Sequence, residues 1–595
     1  MKYSGARILV EALIEEGVDT VFGIPGGYVL QIYDELYRCR DRIRHILVSH
    51  EQHAAHAADG YARSSGRVGV CIATSGPGAT NLVTGIAAAH MDSSPLVAVT
   101  GNVPSGLLGK DSFQETDIAG ITMPVVKHNW IVKDVRELAE VVREAFIVAR
   151  TGRPGPVLID IPADVSAAET GWKPAAAAAW EDGDVLSSRA RRLSERGERI
   201  TFTGGDIEAA AEMLLSAKRP MIYAGGGVNN SGASEELTLL ADVLNAPVAL
   251  SLMGIGAVPR DYPLCTGLIG MHGTVASNKL VQKADLLAVV GARFSDRVTS
   301  RSDRFARHAK ILHIDIDPAE INKNRPADLS VVGDAKKVLG AILKKLPRSV
   351  DNRWDGEVER LKEQEALSRR AGDRSRARRE AGTKLSPGKG AQRSAPPLPS
   401  PRFVVEFTAK RMSFNTLVVT DVGQHQIWVA QHYPIARPRS FLSSGGLGAM
   451  GFGLGAALGA KTANPGRPVV LFTGDGSFRM NNGELATLNR YGIALLIILF
   501  NNGSLGMVRQ WQQVFHGGNY SETDLARTPD FTALAGAYGI PAYRAASEGD
   551  YVSALEAALD KTAQGSSAFI EVSIDKDEVV LPMVPGGRPV DEQIL

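Results

Sequence analysis

Two polar stretches stand at the ends of apolar runs, and their residue types suit a hard cation. Val469-Val470-Leu471-Phe472 runs into Thr473-Gly474-Asp475-Gly476-Ser477, and Leu495 to Phe500 runs into Asn501-Asn502-Gly503-Ser504. The Asp475 carboxylate, the Asn502 amide oxygen and a loop carbonyl such as that of Ser504 are oxygen ligands for Mg²⁺, which completes its shell with phosphate oxygens and water. The glycines beside Asp475 let backbone approach a diphosphate. Taken alone, Gly-Asp-Gly is equally an ordinary turn after a strand. The two stretches at this spacing are far more specific.

Both apolar runs read as buried parallel strands. Met480 to Tyr491 between them has helical periodicity. The two loops should therefore emerge side by side at the carboxyl ends of neighbouring strands, where open α/β sheets bind ligands.

The rest of the chain repeats this rhythm. With 595 residues it is too long for one core. Residues 1–165 alternate short apolar strands with helices, as do 206–346 and 402–575. The expectation is an α/β protein of three doubly wound parallel-sheet domains. No residue-level repeat between the first and third blocks is legible. Segment 166–205 reads as a linker or insertion, 347–401 as a charged, then Ser/Pro/Gly-rich flexible linker, and 576–595 as a C-terminal tail.

Lys plus Arg number 66 against 65 Asp plus Glu, a formal charge of +1. That balance gives no electrostatic case for nucleic acid or an anionic membrane. Cys39, Cys71 and Cys265 are odd in number and widely spaced, so neither a disulfide framework nor a thiolate metal site is expected. The amino terminus lacks a secretory or transit pattern, and no apolar run reaches the roughly eighteen residues of a membrane span. The expectation is a soluble cytoplasmic protein.

Residues 474–512, GDGSFRMNNGELATLNRYGIALLIILFNNGSLGMVRQWQ, resemble the thiamine diphosphate motif of acetohydroxyacid synthase (acetolactate synthase) catalytic subunits. The resemblance covers nearly the whole chain outside 166–205 and about 351–400. It implies pyrimidine-binding, central FAD-binding and diphosphate-binding domains, with thiamine diphosphate, Mg²⁺ and FAD as cofactors. The implied reaction decarboxylates pyruvate on thiamine diphosphate. The hydroxyethyl unit then passes to a second 2-keto acid, pyruvate or 2-oxobutanoate, at the first common step of branched-chain amino acid biosynthesis. A pyruvate oxidase-like thiamine diphosphate/FAD enzyme is the alternative. A non-catalytic cofactor-binding regulator is a third reading, disfavoured by Glu51, Asp475 and Asn502 being present.

The same resemblance assigns roles. Glu51, at the start of the Ala-rich helix after His50, matches the glutamate that hydrogen-bonds the aminopyrimidine ring; a carboxylate sharing a proton with one ring nitrogen makes the exocyclic nitrogen basic. On residues alone, a carboxylate at a helix start simply suits the helix dipole. His50, His53 and His56 lack a completing carboxylate motif for zinc and are expected to line polar pockets. Lys110, Phe113 and Gln114 match the active-site loop. Gly423, Gln424, His425, Gly448, Met450, Gly476 and Ser477 match the segments around thiamine diphosphate. Arg153, His272, Gly273, Thr274, Arg293, Asp315 and Asp334 match FAD-binding positions. Arg297 matches a residue gripping the second keto acid, for which a guanidinium fork suits a carboxylate. Met507 and Trp511 match the specificity segment, where one methylene is worth about 1 to 3 kcal/mol. Arg479, Gly483 and Ser504 depart from common family residues, which bears on rate or affinity more than identity. A homodimer or homotetramer and a separate regulatory small subunit are further implications.

Overall fold

In the computed structural model, residues 2–173, 201–351, 354, 356–367, 396–525, 527 and 529–595 are described. Three six-stranded, wholly parallel sheets organise them. The first holds β1 (Thr20–Gly23), β2 (Arg44–Leu47), β3 (Gly69–Ala73), β4 (Leu96–Asn102), β5 (Asn129–Ile131) and β6 (Pro156–Pro162), in spatial order β2-β1-β3-β4-β6-β5. The central sheet holds β7 (Pro220–Ala224), β8 (Val248–Leu250), β9 (Cys265–Leu268), β10 (Leu286–Val290), β11 (Lys310–Asp315) and β12 (Leu329–Val332), in order β9-β8-β7-β10-β11-β12. The third holds β13 (Leu417–Thr420), β14 (Phe441–Leu442), β15 (Val469–Gly474), β16 (Leu496–Asn501), β17 (Ala542–Ala545) and β18 (Ala568–Ser573), in order β14-β13-β15-β16-β18-β17. Most of these strands are buried along their length, as both-face coverage by helices requires.

The first and third sheets share one strand order, and a single apolar core runs between their blocks. Phe22, Ile46 and Tyr61 of the first block pack in the same cluster as Phe452, Leu471 and Phe478 of the third. The contact is closest where helix α1 (Glu51–Ser65) lies on helix α2 (Phe452–Ala463). A side chain at Gly459 would collide with the Ala57 carbonyl, and one at Gly60 with that of Ala456. Glycine at both positions lets the helix backbones touch.

The block edges differ from the sequence expectation. The first block runs past 165: Ala163–Ala167 is helical, and Glu169–Gly171 pairs antiparallel with Lys2–Ser4. The central block also runs past 346, because Trp354, Val358 and Leu361 are buried in its core. Residues 174–200 and 368–395 of the two expected linkers lie outside the described residues. The segment 576–595 is anchored: the Val584 amide donates to the Met271 carbonyl at 2.8 Å and the Gln593 side chain to the Gly273 carbonyl at 2.8 Å. Among the described residues no helix is long and apolar enough to cross a membrane.

Candidate active site

In each outer block the strand order reverses between its first and third strands, opening the crevice in which such sheets take ligands. In the third block, the register pairs Gly474 of β15 with Phe500 of β16. Asp475 and Asn501-Asn502 therefore leave adjacent strands at one level. Asp475 opens helix α3 (Asp475–Phe478), and its Oδ1 accepts the Gly476 amide at 2.9 Å. The amides of Gly503 and Ser504 also face the carboxylate. Among the described residues its Oδ2 is buried without a hydrogen-bond partner, and burial pushes the pKa up to about 6. A carboxylate oxygen left unpaired in a dry site is costly, and a cation removes that cost. Asn502 Oδ1 accepts the Ser504 amide at 3.1 Å, while the Ser504 hydroxyl is committed to the Thr523 carbonyl at 2.7 Å. The side chain of Ser504 is thus structural, leaving its backbone as the part suited to a ligand.

Around this pair, Gly423 has φ 152° and Gly448 has φ +72°. The His425 ring lies against Gly423 and Gly474; a Cβ on Gly474 would sit 2.9 Å from His425 Nδ1. His425 is buried, which drives its pKa down to about 3 and keeps it neutral, and its Nε2 has no partner. The Met450 methyl would lie 3.5 Å from a Cβ on Gly476. Ser477 donates its hydroxyl to the Val422 carbonyl at 2.8 Å. Asp421, not among the residues singled out from the sequence, is fully buried and accepts from the Gly451 amide at 2.9 Å and from Asn481 Nδ2 at 2.9 Å. Its signal was a carboxylate at a strand end, directly before Val422-Gly423. The helix expected from Met480 begins instead at Glu484, after the turn in which Asn481 is held by Asp421.

A second constellation forms at the matching crevice of the first block. Glu51 starts α1, and its Oε2 accepts from Asn81 Nδ2 at 2.9 Å. A Cβ on Gly78 would lie 3.3 Å from Glu51 Oε1, and one on Gly76 only 2.9 Å from the Gln114 carbonyl. Gln114 itself has φ +63°. Phe113 is 82% exposed, with its carbonyl accepting from the Tyr28 hydroxyl at 3.2 Å. Lys110 is exposed on the same loop, whose amides at Gly109, Lys110 and Ser112 donate to the Glu115 carboxylate. Of the histidines, His53 Nδ1 is 2.9 Å from Glu484 Oε1, His50 caps α1, and His56 is buried with its pKa lowered to about 3.

In the central block the order reverses between β7 and β10. A side chain at Gly225 would collide with the Gly291 carbonyl, so the two loops meet backbone to backbone. Arg153 reaches in from the first block, donating to Glu320 Oε1 at 2.9 Å, to Asp317 Oδ2 at 3.3 Å and to Ser93 Oγ at 2.8 Å. Asp315 ends β11; burial pushes its pKa up to about 6, and it accepts the Asp317 amide at 2.9 Å. Arg293 follows Gly291 at the same crevice. Asp334 and Thr274 have helix-capping duties: Asp334 accepts the Lys337 amide at 3.1 Å and Thr274 the Ser277 amide at 3.1 Å. His272 Nδ1 lies 3.2 Å from the Pro582 carbonyl, and burial lowers its pKa to about 4. Gly273 also bonds the C-terminal segment.

Arg297 and Trp511 come together from different blocks. The Arg297 guanidinium lies over the Trp511 ring, 5.5 Å from its centroid. Trp511 sits on helix α4 (Gly506–Phe515) with Met507, which packs on the third block's core. The indole N–H of Trp511 is buried without a partner. Arg297 Nη1 donates to the Met271 sulfur at 3.8 Å and lies 3.9 Å from Asp296, contacts loose enough to leave the fork available to a carboxylate.

Three family models match the chain in order. They are the thiamine pyrophosphate enzyme N-terminal TPP binding domain over residues 3–121, the central domain over 207–342, and the C-terminal TPP binding domain over 421–572. A probable acetolactate synthase large subunit of Methanocaldococcus jannaschii is 45% identical, covering 98% of this chain and 94% of the relative. The acetolactate synthase isozyme 2 large subunit of Escherichia coli is 43% identical, covering 99% of each. An acetolactate synthase large subunit of Corynebacterium glutamicum is 43% identical over 98% of this chain and 89% of its own.

Proposed function

Since the chain belongs to the family of thiamine pyrophosphate enzymes that holds the acetolactate synthase large subunits, we propose that it joins pyruvate-derived hydroxyethyl units to a second 2-keto acid. The observation that carries this reading is the Arg297 guanidinium over Trp511. A carboxylate-gripping fork beside an aromatic wall is what selection of a second 2-keto acid needs. The products are 2-acetolactate or 2-aceto-2-hydroxybutanoate.

The donor set fits the cofactors. Asp475, Asn502 and the Ser504 carbonyl would hold Mg²⁺, with the unpaired Asp475 Oδ2 as the observation that calls for a cation. Gly423, Gln424, His425, Gly476 and Ser477 would surround the diphosphate, and Gly448 and Met450 the ring system. The Gly225–Gly291 approach, with Arg153, His272–Thr274, Arg293, Asp315 and Asp334 around it, supports FAD in the central crevice. Bound thiamine diphosphate supplies a thiazolium electron sink for loss of CO₂. Glu51 would share a proton with a ring nitrogen of the cofactor, while Asn81 holds one of its carboxylate oxygens. Gln114 and Phe113 border the reacting keto acid, and Lys110 stands on the approach to it. Arg297 orients the second keto acid by its carboxylate, and Trp511 and Met507 set the room for its alkyl group.

A homodimer or homotetramer in the cytoplasm completes the reading. The relatives' name, large subunit, supports a separate regulatory small subunit. The test is product identification with pyruvate alone and with pyruvate plus 2-oxobutanoate. Acetolactate from the first and acetohydroxybutanoate from the second are expected. Stoichiometric anaerobic flavin bleaching, with acetate or acetyl phosphate and no acetolactate, would overturn the reading in favour of a pyruvate oxidase-like enzyme.

A further inference from the structure

Asn502 heads a line of three carboxamides that ends on the backbone of the C-terminal segment. Gln510, on α4, is 2% exposed, and its side chain pairs with Val580 in both directions. The Val580 amide donates to Gln510 Oε1 at 2.9 Å, and Gln510 Nε2 donates to the Val580 carbonyl at 3.1 Å. A backbone amide can only donate and a carbonyl can only accept, so this pairing fixes which end of the Gln510 amide is oxygen. That oxygen also accepts Gln424 Nε2 at 2.9 Å, and Gln424 Nε2 donates again to the Glu578 carbonyl at 2.8 Å. Gln424 must therefore present its Oε1 to Asn502, whose Nδ2 lies 3.4 Å away. Asn502 is left with its oxygen turned from Gln424 toward the Ser504 amide. The contact depends on Gly506: a Cβ there would stand 2.6 Å from Asn502 Nδ2 and collide with Gln424 Oε1.

We propose that Gln510 is a positioning residue that sets the orientation of the Asn502 amide through Gln424, and that it couples the metal site to anchoring of the Glu578–Val580 segment. The proposal rests on the reading of Asp475 and Asn502 as metal ligands. Gln510 itself touches neither metal nor substrate; its effect passes through two other side chains. The same segment continues to Pro582, whose carbonyl meets His272, and to Val584, which bonds Met271 next to Arg297. One carboxamide thus stands between the cation and the strap across the second-substrate side.

The test compares Gln510→Met and Gln510→Glu with the parent and with Asp475→Asn, all as full-length protein. Folding is checked by far-UV circular dichroism. Apparent Mg²⁺ affinity is read by titrating MgCl₂ at saturating thiamine diphosphate and following tryptophan fluorescence. Limited proteolysis of the cofactor-free protein reports release of the C-terminal segment. Groups that orient a metal ligand typically change affinity by about 10- to 100-fold. Gln510→Met should weaken Mg²⁺ by at least about tenfold on that scale and expose the tail to faster cleavage. Gln510→Glu keeps both acceptor contacts but cannot donate to the Val580 carbonyl, and should fall between Met and parent in cleavage rate. Parental metal affinity in Gln510→Met with a weakened Asp475→Asn overturns the relay alone. Parental affinity in Asp475→Asn instead overturns the metal-site reading. Faster cleavage with unchanged metal affinity in Gln510→Met overturns the coupling and leaves Gln510 a tail anchor.

Discussion

Asp92→Ala perturbs the buried charge network that ties the Glu51 helix to the loop carrying Gly448 and Met450. Arg63, near the end of α1, donates from Nε and Nη2 to Asp59 at 2.6 Å each, and from Nη2 to Asp92 at 3.0 Å. Asp92 accepts the amides of Gly445 at 3.1 Å and Gly446 at 2.7 Å. Burial raises the Asp92 carboxyl above its ordinary range, and Arg63 offsets part of that. Removing one partner of a buried ion pair costs about 3–5 kcal/mol. Arg63 keeps its bidentate contact to Asp59 and a 2.8 Å bond to the Ser443 carbonyl, so the loss of charge pairing belongs at or below the lower end. Each amide left dry adds about 1–3 kcal/mol, less whatever water enters the space vacated by the carboxylate. With water replacing part of the carboxylate's contacts, the destabilisation is at least about 3 kcal/mol. Asp92→Asn keeps one acceptor and should lose about half of that. Urea denaturation followed by tryptophan fluorescence measures both, and titration with thiamine diphosphate and Mg²⁺ reads the loop. Cofactor affinity should fall in the order parent, Asn, Ala. A loss below about 1 kcal/mol in the alanine variant, the range of an ordinary surface change, together with parental cofactor affinity, would refute the reasoning.

Three other perturbations follow from single contacts. Glu51→Gln preserves the shape beside Asn81 but cannot hold the proton; turnover should drop about 10²- to 10⁴-fold with cofactor binding retained, and near-parental acetolactate formation would sink the role. Trp511→Leu removes the wall under Arg297, so the ratio of acetohydroxybutanoate to acetolactate from mixed substrates should fall by about tenfold or more, the scale of one methylene; an unchanged ratio counts against Trp511. Glu16 has Oε1 buried without a partner, Oε2 accepting from Arg150 at 3.0 Å, and a pKa pushed up to about 7 by burial. A raised carboxyl pKa favours the folded state below the unfolded value and loses that contribution as pH rises to about 7. Glu16→Gln should therefore match the parent near pH 4 and gain on it by up to about 1.4 kcal/mol per pH unit on the way to pH 7, after which the gap is flat; a gap independent of pH in urea melts would contradict the buried charge.

The long strands were legible because their apolar runs are continuous. β15 and β16, read from Val469–Phe472 and Leu495–Phe500, appear almost as expected. β9 was not: Cys265-Thr266-Gly267-Leu268 is four residues long, and Gly267 has φ +95°, so no apolar alternation marks it. β5 is a three-residue edge strand, below what periodicity resolves. Candidate site residues with a local motif, such as Asp475, Asn502 and Glu51, could be singled out from their neighbours in sequence. Gln510 could not, because its meaning comes from Val580, 70 positions away. Thr274 and Asp334 show the converse: each carries a legible local duty as a helix cap, and any ligand role must be compatible with it.

What no stretch of sequence displays is the equivalence of the two outer blocks. Their strand orders coincide, and in each some of the residues around the crevice leave the first and third strands of the block. Tyr28 follows β1 and Gly76, Gly78 and Asn81 follow β3; Gly423, Gln424 and His425 follow β13 and Asp475, Gly476 and Ser477 follow β15. One topological crevice thus has the Glu51 carboxylate beside Gly76 and Gly78, and its counterpart has the Asp475 carboxylate beside Gly423, Gly474 and Gly476. Because α1 and α2 touch through Gly60 and Gly459, neither crevice can shift without moving the helix that starts at the other: Glu51 opens α1, and Met450-Gly451 leads into α2. On the proposed reading, a division of labour between an acid–base half and a phosphate-holding half follows from two sheets of one strand order locked together, with the chemistry assigned by the few side chains that differ at the crevices.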